Sequence, residues 1–139
     1  MALAALALPA DAMLLFCPAD HHIPHTQAFV DMVRAAAPAA KAGRLVTFGD
    51  MPSYPSTAYC YIQKGVPASD GGFEVARFVE KPAADKAVEF LASGEYLWNA
   101  GIFLAGAQTL LYALQAHAPD ILEVCRNAML QPQQDGLFT

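Results

Sequence analysis

Phe73-Glu74-Val75-Ala76-Arg77-Phe78-Val79-Glu80-Lys81-Pro82 is the stretch on which the fold turns. Its aromatic and β-branched residues predict a strand over 73–81. Pro82 has a fixed φ and no N–H, so the strand must stop there and a helix can start. Ala83 to Ala92 reads as that helix, with Gly94 placed to cap its C-terminus. Glu80 can accept hydrogen bonds from hydroxyl groups, and Lys81 can neutralise a phosphate. A solvated salt pair ahead of a helix is the plainer reading of the same two residues.

Working outward, strands and helices continue to alternate. Leu14 to Cys17 is a continuous apolar run, as in a strand covered on both faces, and the strand is taken as Ala12 to Cys17. A short helix, Ala2 to Leu8, and a turn at Pro9–Asp11 precede it. From Thr26 to Ala37 the apolar residues Phe29, Val30, Val33, Ala36 and Ala37 share one helical face, and Pro38 is expected to end or kink the helix before Gly43. Leu45 to Phe48, closed by Gly49, and Tyr59 to Gln63 read as strands, and Lys64 to Gly72 as a turn built on Pro67, Asp70, Gly71 and Gly72. Ala100 to Leu104 is a further strand, followed by helices near Gln108–His117 and Asp120–Met129 and a loose tail over 131–139. This alternation predicts one α/β domain over 1–130, a mixed but mostly parallel sheet flanked by helices.

Composition narrows the function. The 139 residues are 55% hydrophobic and 15% charged, enough to bury a core. A net charge of −5, with eight scattered Lys and Arg, argues against a nucleic-acid partner. No apolar run reaches the roughly 18 residues of a membrane span. Met1 to Phe16 is Ala- and Leu-rich, but it has no basic start and is broken by Pro9 and Asp11, unlike a secretory signal. Cys17, Cys60 and Cys125 are widely spaced without a CxxC, which suits buried reduced thiols in a cytoplasmic protein.

Three further segments carry candidate chemistry. Pro18-Ala19-Asp20-His21 follows the first strand, and an Asp at a strand end can hold a hard cation beside phosphates, or merely cap the turn. His21, His22 and His25 invite a zinc reading, yet Pro24 prevents a helix from stacking His21 over His25 and no cysteine lies near. Ser53, Ser56, Thr57 and Ala58 sit in a Pro-containing loop where small residues permit close approach of a ligand to the backbone, or where the chain makes a plain excursion at the sheet edge. Asn99, in Trp98-Asn99-Ala100-Gly101, offers donors and an acceptor suited to vicinal sugar hydroxyls, and otherwise serves as a turn residue before a strand.

Taken in order, PADH (18–21), Thr47-Phe48-Gly49-x-x-Pro52 with Tyr59-x-Tyr61-Ile62, FVEKP (78–82) and Tyr96-Leu97-Trp98-Asn99-x-Gly101-x-Phe103 resemble the bacterial mannose-1-phosphate guanylyltransferases, within the sugar nucleotidyltransferase superfamily, over about residues 2 to 130. The resemblance implies a Rossmann-like nucleotidyltransferase domain that joins GTP and mannose 1-phosphate into GDP-mannose and pyrophosphate, for polysaccharide biosynthesis. It implies that Asp20 is a catalytic Mg²⁺ ligand and that Glu80 binds mannose hydroxyls. Lys81 would contact the sugar phosphate as both a catalytic and a binding residue, and Asn99 would face the sugar. Ala58 stands where the family has a glycine whose backbone approaches the sugar.

The sequence also departs from that family. It holds no glycine-rich phosphate loop, the element with which the family grips GTP ahead of the helix that Met1 opens here. The family's P-E-T-G-Y-G-Y-I is replaced by Pro55-Ser56-Thr57-Ala58-Tyr59-Cys60-Tyr61-Ile62, and a Cβ at Ala58 hinders close approach or a positive φ. Asp50 replaces an apolar residue. The expectation is little or no turnover by this polypeptide alone. The alternative is a non-catalytic fragment that binds sugar phosphate or pairs with an intact homologue. A strand left without a neighbour would favour self-association.

Overall fold

The computed structural model describes residues 1–69 and 71–130. Asp70, expected in a turn, and the expected tail over 131–139 lie outside the described residues. Ten elements follow in order: α1 (Ala2–Ala7), β1 (Met13–Phe16), α2 (Thr26–Lys41), β2 (Val46–Asp50), β3 (Tyr61–Pro67), β4 (Phe73–Val79), α3 (Ala84–Ser93), β5 (Tyr96–Gly106), α4 (Ala107–His117) and α5 (Pro119–Leu130).

The strands form one sheet organised around β5. Leu104 of β5 is paired with both Leu15 of β1 and Val46 of β2, so β1 and β2 flank opposite edges of β5. Trp98 is likewise paired with Tyr61 of β3 and Asp50 of β2. Hence β1 and β3 share one edge of β5, β1 along Phe103–Gly106 and β3 along Tyr96–Trp98. β4 extends the sheet beyond β3.

Every pairing in this sheet is antiparallel, which corrects the expectation of a mostly parallel one. The local reading was sound in one respect. β1 and β2 run in the same direction and are joined by α2, and β4 and β5 run in the same direction and are joined by α3. In each unit, however, an antiparallel strand from elsewhere in the chain lies between the two parallel ones, β5 in the first and β3 in the second.

Three apolar clusters hold the layers together. Ala5 of α1, Leu14, Ala107 and Leu110 close one face of the sheet. Phe48, Ile102 and Leu104 pack on α2 through Ala40, with Phe29, Val33, Ala36 and Ala37 of the predicted apolar stripe but not Val30. Tyr61 and Tyr96 pack on Ala87 and Phe90 of α3, with the Phe90 and Tyr96 rings stacked at 3.9 Å between centroids. Burying an aliphatic or aromatic side chain of this size contributes about 1.5–3 kcal/mol, so these clusters, rather than the short helices themselves, fix the fold.

Pro38 neither ends α2 nor shortens it: the helix runs through to Lys41. Only one turn follows the proline, so a single ladder bond, to the carbonyl of Arg34, is forfeited. Ala40, 1% exposed, offsets this loss by packing into the core. The Ala42 N–H donates to the Pro38 carbonyl and the Gly43 N–H to that of Ala40, and Gly43 turns the chain away with φ +90. The cysteines also differ from expectation. All three are free thiols, but Cys17 is exposed and Cys60 and Cys125 are half-buried. No helix among the described residues is long and apolar enough to cross a membrane.

Candidate functional site

Strand register brings the candidate residues to one level of the sheet. β1 ends opposite Phe103 and β3 begins opposite Trp98, leaving a gap along that edge of β5 at residues 99–102. The chain leaving β1 enters this gap from one side. Pro18 lies close enough to Gly101 that a Cβ on the glycine would sit 3.5 Å from the Pro18 ring. The loop before β3 enters from the other side, and the Asn99 N–H donates to the Cys60 carbonyl at 2.8 Å. β4 ends at Val79 opposite Tyr61, so Glu80 and Lys81 leave the sheet at the same level, one strand further out.

Asn99 is the best fixed of these residues. Trp98 and Asn99 lie inside β5, not before it as expected, because the strand starts at Tyr96. Asn99 Oδ1 accepts from the Gly101 N–H at 3.2 Å and from the Thr47 hydroxyl at 3.3 Å. A backbone N–H can only donate, so the first bond decides which end of the amide is oxygen. The NH₂ end has no hydrogen-bond partner among the described residues. Gly101, with φ +69, supplies the bend that aims its own N–H back at Asn99.

Asn99 lines a cavity of about 730 Å³. Its apolar part comes from Phe29 and Met32 of α2 and from Phe48 and Ile102 of the sheet, and its polar part from Asp50, Tyr59 and the segment from His21 to His25. Thus the three histidines do line one cavity. No group of three or more His, Cys, Asp or Glu among the described residues gathers closely enough to hold a metal ion.

Residues 51–60 form an irregular loop rather than a strand beginning at Tyr59. A buried tyrosine anchors it: the Tyr61 hydroxyl donates to the Ser56 carbonyl at 2.9 Å and accepts from the Ser56 N–H at 3.0 Å. The Ala58 N–H donates to Ser56 Oγ at 3.2 Å, so it is engaged within the loop. Tyr54 and Tyr59 then lie edge-on against Trp98, with ring centroids 4.9 and 5.0 Å away. The Tyr54 hydroxyl donates to that of Tyr59, and this bond first, then desolvation and the neighbouring tyrosines, raises the Tyr54 pKa above the ordinary value. Sequence reasoning missed this aromatic group; Trp98, the lone tryptophan beside the candidate amide, was its only local signal.

Asp20, Glu80 and Lys81 are exposed, and no hydrogen bond or ion pair holds their side chains among the described residues. Asp20 occupies the turn after β1 and Ala58 the loop before β3; neither lines the cavity. Lys81 has φ +39, the single non-glycine residue with positive φ among those described. It also precedes a proline, which favours extended backbone, so the chain is strained where Lys81 departs. Pro82 behind it is buried, which holds that turn in place.

The nucleotidyl transferase family profile matches residues 1–139. The chain is 49% identical over 138 residues to the mannose-1-phosphate guanylyltransferase ManC of Salmonella typhimurium, covering 93% of this chain and 29% of that protein. It is 45% identical over 129 residues to the xanthan biosynthesis protein XanB of Xanthomonas campestris, covering 93% of this chain and 27% of that one. The crystal structure of mannose-6-phosphate isomerase from Helicobacter pylori superposes with a TM-score of 0.84 at 36% identity, over 99% of this chain and 52% of that chain. That of mannose-1-phosphate geranyltransferase from Thermus thermophilus gives 0.83 at 30% identity, over 95% and 38%. The chain therefore spans less than a third of the curated relatives it matches. Its sequence and its helix-flanked sheet agree: this chain belongs to the nucleotidyl transferase family.

Proposed function

We propose that this chain provides the sugar-phosphate side of a mannose-1-phosphate guanylyltransferase, which converts GTP and mannose 1-phosphate into GDP-mannose and pyrophosphate. What carries the reading is Asn99, pinned through Oδ1 by the Gly101 N–H and the Thr47 hydroxyl with its NH₂ left for a ligand. The similarity to the mannose-1-phosphate guanylyltransferase of Salmonella typhimurium supports the choice of substrate.

In this mechanism the Asn99 NH₂ donates to a sugar hydroxyl and the Glu80 carboxylate accepts from others, fixing the ring. Lys81 neutralises the sugar phosphate as a point charge. An oxygen of that phosphate attacks the α-phosphorus of GTP, the bond from that phosphorus to the bridging oxygen breaks, and pyrophosphate leaves. The attacking oxygen is already an anion, so the chain needs no strong general base, and positioning carries much of the rate. Ala58 contributes backbone proximity alone, since its N–H is engaged by Ser56.

Asp20 fits a Mg²⁺ ion as one protein ligand, because magnesium takes few carboxylates and completes its shell with water and phosphate oxygens. Magnesium bound there would supply charge neutralisation for the phosphates.

Calorimetric titration of mannose 1-phosphate into the chain, with and without Mg²⁺, tests the reading, together with pyrophosphate release from GTP. Asn99→Ala and Lys81→Ala should each weaken sugar-phosphate binding about tenfold, through a neutral hydrogen bond in the first case and a charged contact in the second. Asp20→Ala should abolish the dependence on Mg²⁺. Absence of binding, or binding indifferent to both Asn99→Ala and Lys81→Ala, would refute the proposal.

A further inference from the structure

The indole N–H of Trp98 is buried and has no hydrogen-bond partner among the described residues. Such donors are rare in folded proteins and call for an explanation. Trp98 lines the same 730 Å³ cavity as Asn99 and precedes it in β5. Around it stand Tyr54 and Tyr59, edge-on, and a ring face recovers only part of what a true acceptor oxygen gives an N–H. Tyr54 and Tyr59 are themselves 49% and 44% exposed. They can therefore rotate outward without opening a core, whereas β5 cannot.

Building on the sugar-phosphate reading above, we propose that Trp98 is a further ligand-contacting residue, whose indole N–H donates to a ring hydroxyl of the bound hexose once Tyr54 and Tyr59 turn aside. The occupant is hydroxyl-rich, not apolar, because only an acceptor oxygen answers the buried Trp98 N–H. Loop 51–60 pivots on Ser56, which the buried Tyr61 hydroxyl holds in place. The two tyrosines on either side of that anchor thus cover an empty indole and leave a filled one.

As the lone tryptophan, Trp98 gives a single indole resonance in a ¹H–¹⁵N spectrum of the whole chain. Titration with mannose 1-phosphate should move that resonance downfield, as a new acceptor does. Inorganic phosphate alone should leave it in place, and an equal shift with phosphate overturns the hydroxyl assignment. If the backbone amides of Asn99 and Lys81 respond while the indole does not, the proposal fails and the sugar-phosphate reading survives. If nothing responds to the sugar phosphate, both fail. Trp98→Phe keeps a ring but deletes the donor, and should weaken mannose 1-phosphate about tenfold. That deficit should vanish for the deoxy analogue lacking the accepting hydroxyl; an equal deficit for every deoxy analogue makes the residue structural and overturns the assignment.

Discussion

Asn99 and Lys81 stand at the same level of one sheet on opposite terms. Asn99 sits in the central strand, paired with Gly49 of β2 on one edge and bonded to the Cys60 carbonyl on the other, with its oxygen held by two donors 2 and 52 residues away along the chain. Lys81 leaves the edge strand β4, six of whose seven residues are exposed, and carries a strained φ with no partner for its charge among the described residues. The first arrangement is built before any ligand arrives, so little ordering is lost on binding. The second supplies charge from a side chain that must give up rotamer freedom, as much as about 1.5–2 kcal/mol for a lysine. Geometry is fixed at the centre of the sheet, and charge is added at its margin.

The contrast breaks most severely at Gly49, which pairs with Asn99 across β2 and β5. A Cβ there would lie 2.7 Å from Leu97 Cβ and 2.8 Å from its Cδ1, on the strand that carries Asn99. The root of Leu97 cannot swing away as a chain tip can. Gly49→Val should therefore cost about 3 kcal/mol of stability, the upper end of ordinary overpacking, and shift β5 enough to abolish sugar-phosphate binding. Urea denaturation followed by calorimetry checks both. A variant of wild-type stability that still binds would show that the centre is not so tightly built.

Next in size is Tyr61→Phe. The phenol is 0% exposed and serves both the N–H and the carbonyl of Ser56. Its removal strips the Ser56 carbonyl of this donor, at about 1–3 kcal/mol, while the Ser56 N–H keeps its bond to the Tyr54 carbonyl at 3.1 Å. The expected result is a loss near 2 kcal/mol in chemical denaturation, with proteolytic nicking confined to residues 51–60 if the anchor holds the loop. Cleavage elsewhere would assign the tyrosine to the core instead.

These two residues also mark what the sequence could and could not disclose. Strands and helices were legible wherever local patterning decides them: the α2 stripe, the FVEKP stop and the Gly94 cap all arise from neighbours in the chain. Strand direction was not legible, since β5 comes between β1 and β2 from far along the sequence and β3, the hairpin neighbour of β4, comes between β4 and β5. Asn99 was singled out for its chemistry but expected ahead of a strand, because the strand was placed on the apolar run 100–104 and Asn99 interrupts the aromatic start of β5. Thr47 as its partner, Tyr61 as the loop anchor and Gly49 as a close-approach position all depend on long-range register. Each was visible as a residue and mute about its role.

At the margin, Lys81→Gly sharpens the comparison through opposite signs. Relieving φ +39 returns roughly 1 kcal/mol, and the extra freedom of an unfolded glycine takes back about half. The melting temperature should rise slightly while mannose 1-phosphate affinity falls about tenfold with the lost charge. A matching fall in stability would mean that Lys81 is held by contacts and is not strained for function. Lys81→Ala separates the two effects, as it loses the same charge and keeps the strain.

The smallest effect belongs to Lys86 on α3. Its ammonium donates to Glu89 at 2.7 Å, and this bond, then the charge of Glu89, raises its pKa above 10.5. A base whose folded pKa is raised contributes stability that is complete below the unfolded value and is lost as pH climbs through the folded one. The difference in melting temperature between wild type and Lys86→Met should therefore stay constant through neutral pH and shrink only above about 10.5. Both side chains are more than half exposed, so solvent screens the pair and the difference should be small throughout. A large difference at neutral pH, erased by salt, would show that charge at this margin stabilises the fold, and would remove the distinction between a structural centre and a ligand-serving edge.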